Sequence, residues 1–170
     1  MKKIFLLVLF IPLFSYAQQM NYSYWLEQES YNNWVQNEDL DEFGDPTGKT
    51  YNVFAGDGTF SNTHIAYSKL IVAVVDNNES IGMSFLEDGQ FPIKTFNGKL
   101  GLVKVKRANG TVETHVALGG KRGVSLVFVR GSSFFELIRS GLNETIKISV
   151  DGENFGDDNY SEYDFTIRTQ

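Results

Sequence analysis

From Thr50 onward, apolar residues recur with a period of two rather than 3.6. That is the spacing of strands that bury one face and wet the other. Tyr51-Asn52-Val53-Phe54-Ala55 alternates loosely. Ser80 to Leu86 sets Ile81, Met83 and Phe85 on one face, and Leu100 to Arg107 turns Val103 and Val105 inward with Lys104 and Lys106 outward. Two later segments alternate cleanly, through Ile146, Ile148 and Val150 and then through Tyr163, Phe165 and Ile167. Leu70 to Val75 is instead a continuous apolar run between Ser68-Lys69 and Asp76-Asn77-Asn78, which predicts a strand buried on both faces. Val124 to Val129 reads as a second such strand.

The turns fit the same picture. Asn109-Gly110 is the strongest turn signal, because both residues tolerate the positive φ of a tight hairpin. It joins Leu102–Arg107 to Thr111–Leu118. In that second strand Val112, Val116 and Leu118 form the apolar face, which puts His115 and Glu113 on the opposite, solvent side. Gly119 to Gly123 supplies another turn. One segment is helical: Ser133 and Glu136 have capping-box spacing, Phe134, Leu137 and Ile138 share a face, and Gly141 is placed to end the turn. Ser133–Ser140 is therefore expected to be one short helix over the end of a sheet.

Together these predict an all-β domain. Its expected form is an antiparallel β-sandwich or a partly open barrel of seven to nine strands, with one short helix near residues 133–140. No strand–helix alternation points to a parallel sheet. Residues 18–49 are the least regular and read as a strand plus a long loop.

The chain begins with Lys2 and Lys3, an apolar run from Ile4 to Phe14 and the small-residue site Ser15-Tyr16-Ala17, the pattern of a cleaved export signal. The run is too short for the roughly 20 residues of a membrane-spanning helix. No later stretch is long enough either, so a mature form from Gln18 to Gln170, one domain with no transmembrane segment, is expected in the periplasm or secreted. The chain has no cysteine, so neither disulfides nor a cysteine-linked lipid can hold it.

Charge falls in blocks. Residues 18–88 carry 2 basic and 12 acidic groups, residues 89–135 carry 8 and 1, and residues 136–170 carry 3 and 8. Either these blocks neutralise each other across neighbouring strands, or the basic one forms a face for an anionic partner such as a polysaccharide or a lipid head group. Export and a net negative mature chain argue against nucleic acid.

The most unusual local sequence is Asp39-Leu40-Asp41-Glu42-Phe43-Gly44-Asp45-Pro46-Thr47-Gly48. Asp39, Asp41 and Gly44 match positions 1, 3 and 6 of a calcium loop, but Phe43 and Thr50 stand where oxygen ligands at positions 5 and 12 are needed. A second acidic loop, Asp151 to Glu162, fails in the same way at Phe155. Calcium is thus the one ion the sequence suggests, against plain polar turns with no cofactor. The two histidines, His64 and His115, lack zinc spacing, and no nucleophile motif surrounds any serine. Glu27 and Glu29 lie near Tyr24, Trp25, Tyr31 and Trp34. Acids beside aromatics suit a glycan-directed site, although both tryptophans equally suit core anchors.

Trp34, Asp41-Glu42-Phe43-Gly44-Asp45-Pro46-Thr47-Gly48, Gly58-Thr59-Phe60-Ser61-Asn62 and Ser68-Lys69-Leu70 together resemble a family of short bacterial proteins of unknown function. That family has an early Trp, a DEFGDPTG-like segment and a GTFSN-like strand. The resemblance covers Trp34 to Val75 and implies a recurring domain without assigning any ligand residue. The chain is also similar in outline to the invasion-associated locus B family, from which it departs by lacking cysteine pairs.

The expected function is an exported binding or interaction module. Its candidate residues are Trp34, Asp39, Asp41 and Asp45 in the first acidic segment, and Lys104, Lys106 and Arg107 in the basic one. Its partner would be an envelope protein or polysaccharide. The alternative is an envelope- or glycan-directed hydrolase. A third possibility is a protein whose free sheet edge pairs with partners.

Overall fold

A computed structural model of the chain describes residues 28–62, 65–88, 100–119, 125–151 and 161–170. The expected export signal, Trp25, Glu27, His64, most of the Gly119–Gly123 turn and most of the second acidic loop lie outside the described residues. Among the described residues there are nine strands, β1 (Val35–Leu40), β2 (Pro46–Asn62), β3 (Ser68–Asp76), β4 (Ser80–Glu87), β5 (Leu100–Lys106), β6 (Val112–Gly119), β7 (Ser125–Val129), β8 (Thr145–Asp151) and β9 (Ser161–Arg168), with a helix α1 (Ser133–Ile138) between β7 and β8.

Every strand pairs antiparallel with its neighbour, in the order β1-β2-β3-β4-β7-β6-β5-β8-β9. A further pairing of β2 with β9 closes eight of them into a ring. The fold is all-β, as expected. Of the expected architectures it is the barrel, closed rather than partly open, with β1 added outside the ring.

Closure depends on the length of β2. One of its edges pairs with β3 from Asn52 to Phe60. Its other edge pairs with β1 as far as Val53 and with β9 from Gly58 onward. Phe54, Gly56, Gly58 and Phe60 share the inward face, and the two glycines stand where β9 arrives. A Cβ on Gly58 would run into the Asp164 carbonyl oxygen and lie 2.7 Å from Phe165 Cβ. Phe165, directly opposite in the ladder, fills the space instead. Such a pair of glycine and cross-strand aromatic is a corner device of small barrels.

The interior is packed solid with side chains. Leu70, Val72, Val74, Ile81, Met83, Phe85, Val103, Val105 and Val150 are completely buried. Phe85 stacks on Tyr163 with ring centroids 4.7 Å apart. The Tyr163 hydroxyl donates to Glu87 Oε1 at 2.8 Å. Burial pushes the Glu87 carboxyl above the usual range, against the pull of that hydrogen bond.

Among the described residues, β6 and β7 pair through Leu118↔Val127 and Gly119↔Leu126. Helix α1 packs against both strands. Phe134 stacks on Phe128 at 4.1 Å and sets its ring edge-on to His115 at 5.4 Å.

Several local expectations are corrected. The Asn109-Gly110 turn forms, but only Gly110 is left-handed, at φ 88°. Gly110 N–H donates to the Arg107 carbonyl and Arg107 N–H to the Thr111 carbonyl, which is a type I turn closed by a glycine bulge rather than a two-residue turn. That hairpin sets Val103 opposite His115 and Val105 opposite Glu113. Directly opposed residues share a face, so inward Val103 and Val105 carry His115 inward with them. The apolar trio Val112, Val116 and Leu118 is exposed, and His115 is only 3% exposed, the reverse of the expected facing.

Strand β3 is buried on both faces as expected, apart from Val75; Ile71 and Ala73 pack with Leu86 in a second cluster. Strand β7 is not buried on both: Leu126 and Phe128 face the core while Val129 is exposed. Helix α1 starts one residue earlier in its capping frame and ends earlier than expected. Ser132, not Ser133, is the N-cap, accepting from Phe135 N–H at 3.4 Å, and Ile138 is the last helical residue. The hydroxyl of Ser133 is thereby released from capping.

Candidate functional site

The acidic segment makes the β1–β2 turn. Asp41 Oδ1 accepts from the amides of Phe43 and Asp45 at 2.9 and 3.0 Å, and Gly44 takes φ 89°. The backbone pattern repeats that of the Arg107–Thr111 turn: Gly44 donates to the Asp41 carbonyl and Asp41 to the Asp45 carbonyl. Those amides, Asp45 first and Phe43 next, hold the Asp41 carboxyl below its usual range. Asp39 Oδ2 accepts from the Thr47 hydroxyl at 2.9 Å. Asp39 also lines an open groove of about 860 Å³ with Lys49, Tyr51, Asn77 and Glu79. Trp34 stands at the other end of β1. Its indole N–H donates to the Arg168 carbonyl at 2.6 Å and its ring packs on Phe54 at 5.4 Å, so it ties the start of β1 to the end of β9. Trp34 and the acidic turn thus do not form one surface.

Among the described residues no group of three His, Cys, Asp or Glu side chains is placed to hold a metal ion. The Asp41 carboxylate is used on its own turn. Asp41→Ala is therefore expected to lower the melting temperature equally in calcium and in chelator; a loss seen only in calcium would reinstate an ion site. Because the folded carboxyl is held low, this contribution is present above the unfolded pKa and fades as pH falls through the folded one.

The basic segment divides. Lys104 and Lys106 project from the outer face of β5, where the ladder brings Lys147 of β8 directly opposite Lys106. Like charges directly opposed cost stability. The three lysines line a trench of about 450 Å³ across β5, β8, β9 and β2, whose far side carries Asp57, Thr59, Asp164 and Thr166. Sequence reasoning missed Lys147, although its outward position could have been read from the alternation around Ile146 and Ile148.

The arginines behave differently. Arg107 turns away from the trench to Glu113 at 3.3 Å and Glu144 at 2.5 Å. Arg130 pairs with Glu79 and Arg139 with Asp76. Two of these pairs, Arg107–Glu144 and Arg130–Glu79, join the basic block to an acidic one; Lys104, Lys106 and Lys147 have no ion pair among the described residues.

A second constellation lies under α1. His115 Nδ1 is 2.8 Å from Ser133 Oγ, and His115 Nε2 is 3.4 Å from Glu113 Oε2. Arg107 holds Glu113, and Glu144 holds Arg107. His115 is buried whereas Ser133 is exposed. Burial lowers the His115 pKa, and Arg107 adds to this; Glu113 opposes it. The folded protein thus binds fewer protons here than the unfolded chain does just below the ordinary histidine pKa of 6.5. Stability should fall as pH drops from 6.5 towards the folded value. Urea midpoints between about pH 7.5 and 5.5 test this, and His115→Gln should flatten the slope over that interval.

These features define a small, closed, eight-stranded antiparallel barrel with one added strand, one covering helix and an outward lysine cluster. No helix among the described residues is long and apolar enough to cross a membrane. No protein-family model, curated protein or solved structure matches the chain.

Proposed function

We propose that the protein is an exported module that binds an anionic polysaccharide in the trench across β5, β8, β9 and β2. The observation that carries this reading is Lys106 facing Lys147, with Lys104 beside them and no acid pairing any of the three among the described residues. A bound carboxylate or sulfate relieves that repulsion. The opposite side of the trench, with Asp57, Asp164, Thr59 and Thr166, offers acceptors and hydroxyls suited to sugar hydroxyl groups. The expected export signal would deliver such a module to envelope or extracellular glycans. Edge pairing has less support: the ring is closed, and β1, the strand outside it, is short and carries a bulge between Glu38 and Leu40.

Binding to polygalacturonate and heparin, compared with neutral dextran, tests the proposal. The polyanions should bind and weaken with added salt. Lys147→Glu should reduce affinity roughly tenfold or more, the equivalent of losing one charged hydrogen bond, while Lys49→Glu should not. Equal binding of dextran, or an unchanged Lys147→Glu variant, would reject the trench as the site. Absence of any glycan binding would turn attention to an envelope protein as partner.

A further inference from the structure

We infer that Ser133 is a nucleophilic serine, activated by His115 with Glu113 behind it, and that it transfers acyl groups from small carboxylic esters. The reading is independent of the lysine trench and rests on three observations. The first is order: exposed hydroxyl, imidazole and carboxylate stand in sequence, with Oγ to Nδ1 at 2.8 Å and Nε2 to Oε2 at 3.4 Å. That is the order of nucleophile, base and acid in such chemistry, with the two ring nitrogens exchanged relative to the usual serine triad; His115 Nε2 is buried without a hydrogen bond, and the 3.4 Å gap to Glu113 is one that closes on substrate binding. The second is that the fold does not use the Ser133 hydroxyl as the helix cap, since Ser132 has that role. The third is the support behind the acid: Arg107 holds Glu113 and is itself held by Glu144.

The tautomer this chemistry needs carries its proton on Nε2, on the side of the Glu113 carboxylate, and leaves Nδ1 to accept from the Ser133 hydroxyl. The groups around the ring are Glu113 and Arg107 from the β5–β6 hairpin and Ser133 and Phe134 from α1. Burial keeps the imidazole neutral at neutral pH, as a general base must be.

In the first step Ser133 Oγ bonds to the ester carbonyl carbon and its proton passes to His115 Nδ1. The carbon–oxygen bond to the alcohol then breaks. The departing oxygen takes the electron pair and the proton from Nδ1, leaving acyl-Ser133. Water repeats the sequence, giving its proton to Nδ1 as it attacks, and releases the carboxylic acid and the free serine. Glu113 and Arg107 do not touch the ester and are positioning residues. Ser133 lies on an exposed helical turn, which favours small esters over large ones.

The test treats the full chain with p-nitrophenyl acetate, and separately with a fluorophosphonate, and locates the adduct by peptide mass spectrometry. The expected result is a burst of up to one equivalent of p-nitrophenolate with acetyl on Ser133. The rate should rise with pH through a midpoint below the ordinary histidine value. Ser133→Ala should remove the adduct. Glu113→Gln should slow its formation roughly tenfold to a hundredfold, within the range for general-base catalysis, while a melting curve confirms that the variant is folded. A histidine that merely ties α1 to β6 would leave Ser133 no more reactive than Ser132 or Ser140. That outcome, or a rate without the pH midpoint, overturns the inference without any variant.

Discussion

Gly58→Ala should open the barrel. The added Cβ would collide with the Asp164 carbonyl oxygen and stand 2.7 and 2.9 Å from Phe165 Cβ and Cα. Two of these three atoms are backbone, so no rotamer change relieves the clash; β9 has to move away from β2. That movement loosens the β2–β9 ladder, the one pairing that turns an open sheet into a ring. Overpacking of a core costs about 1–3 kcal/mol and sometimes more, and a displaced ladder places this case at the upper end, about 3 kcal/mol. In a domain of this size that is roughly 6–12 °C in melting temperature. Gly82→Ala is the matched control. A Cβ there meets nothing within 4 Å, and at such a site the change is expected to stabilise by about 0.4–1 kcal/mol through the unfolded chain. If both variants melt alike, Gly58 is not what the closure depends on.

Phe134→Ala should have an equal or larger effect. Phe134 is completely buried and stacks on Phe128 of β7 while meeting His115 of β6 edge-on. Truncating a buried phenylalanine costs about 3–5 kcal/mol through lost transfer energy and the cavity left behind. Here the loss also undocks α1, which carries Ser133. The expected result is a fall of roughly 6–20 °C in melting temperature, together with loss of any selective labelling at Ser133 under conditions where the variant is still folded. Glu136→Ala, on the exposed side of the same helix, should change neither. A Phe134→Ala variant as stable as the parent would mean that α1 does not hold the wall together.

How much of this was legible in the sequence depended on range. Ile81, Met83 and Phe85, Val103 and Val105, Ile146, Ile148 and Val150, and Tyr163, Phe165 and Ile167 all face the core as their alternation predicts. Helix α1 is recognisable because Phe134, Leu137 and Ile138 repeat at helical spacing, though the Ser133–Glu136 spacing puts its cap one residue late. Strand β6 departs from its pattern for a definite reason. Its two faces, Val112-Val116-Leu118 and Glu113-His115-Ala117, differ in hydrophobicity in the wrong sense for their positions. Only the hairpin register decides between them: the glycine bulge at Gly110 aligns His115 with inward Val103. A loop shorter or longer by one residue would have turned every side chain of the strand over.

The candidate chemistry was hidden for the same reason. Ser133 and His115 are 18 residues apart, and Lys147 is about 40 residues from Lys106. No local motif links either set. Arg107 looked like a third surface cation beside Lys106, but the turn that follows it aims it at Glu113 and Glu144.

By itself, then, the sequence determined most of the strands from Thr50 onward, which face of most of them is apolar, and where α1 forms; that β2 already begins at Pro46 it did not. Each of these is settled within a few residues by backbone preference and by the removal of apolar side chains from water. Only the tertiary structure decided that the sheet closes, that β6 turns His115 inward, and that three lysines and a Ser–His–Glu set converge. Those outcomes rest on strand register and on contacts between distant segments, such as Gly58 with Phe165, whose geometry no local pattern encodes.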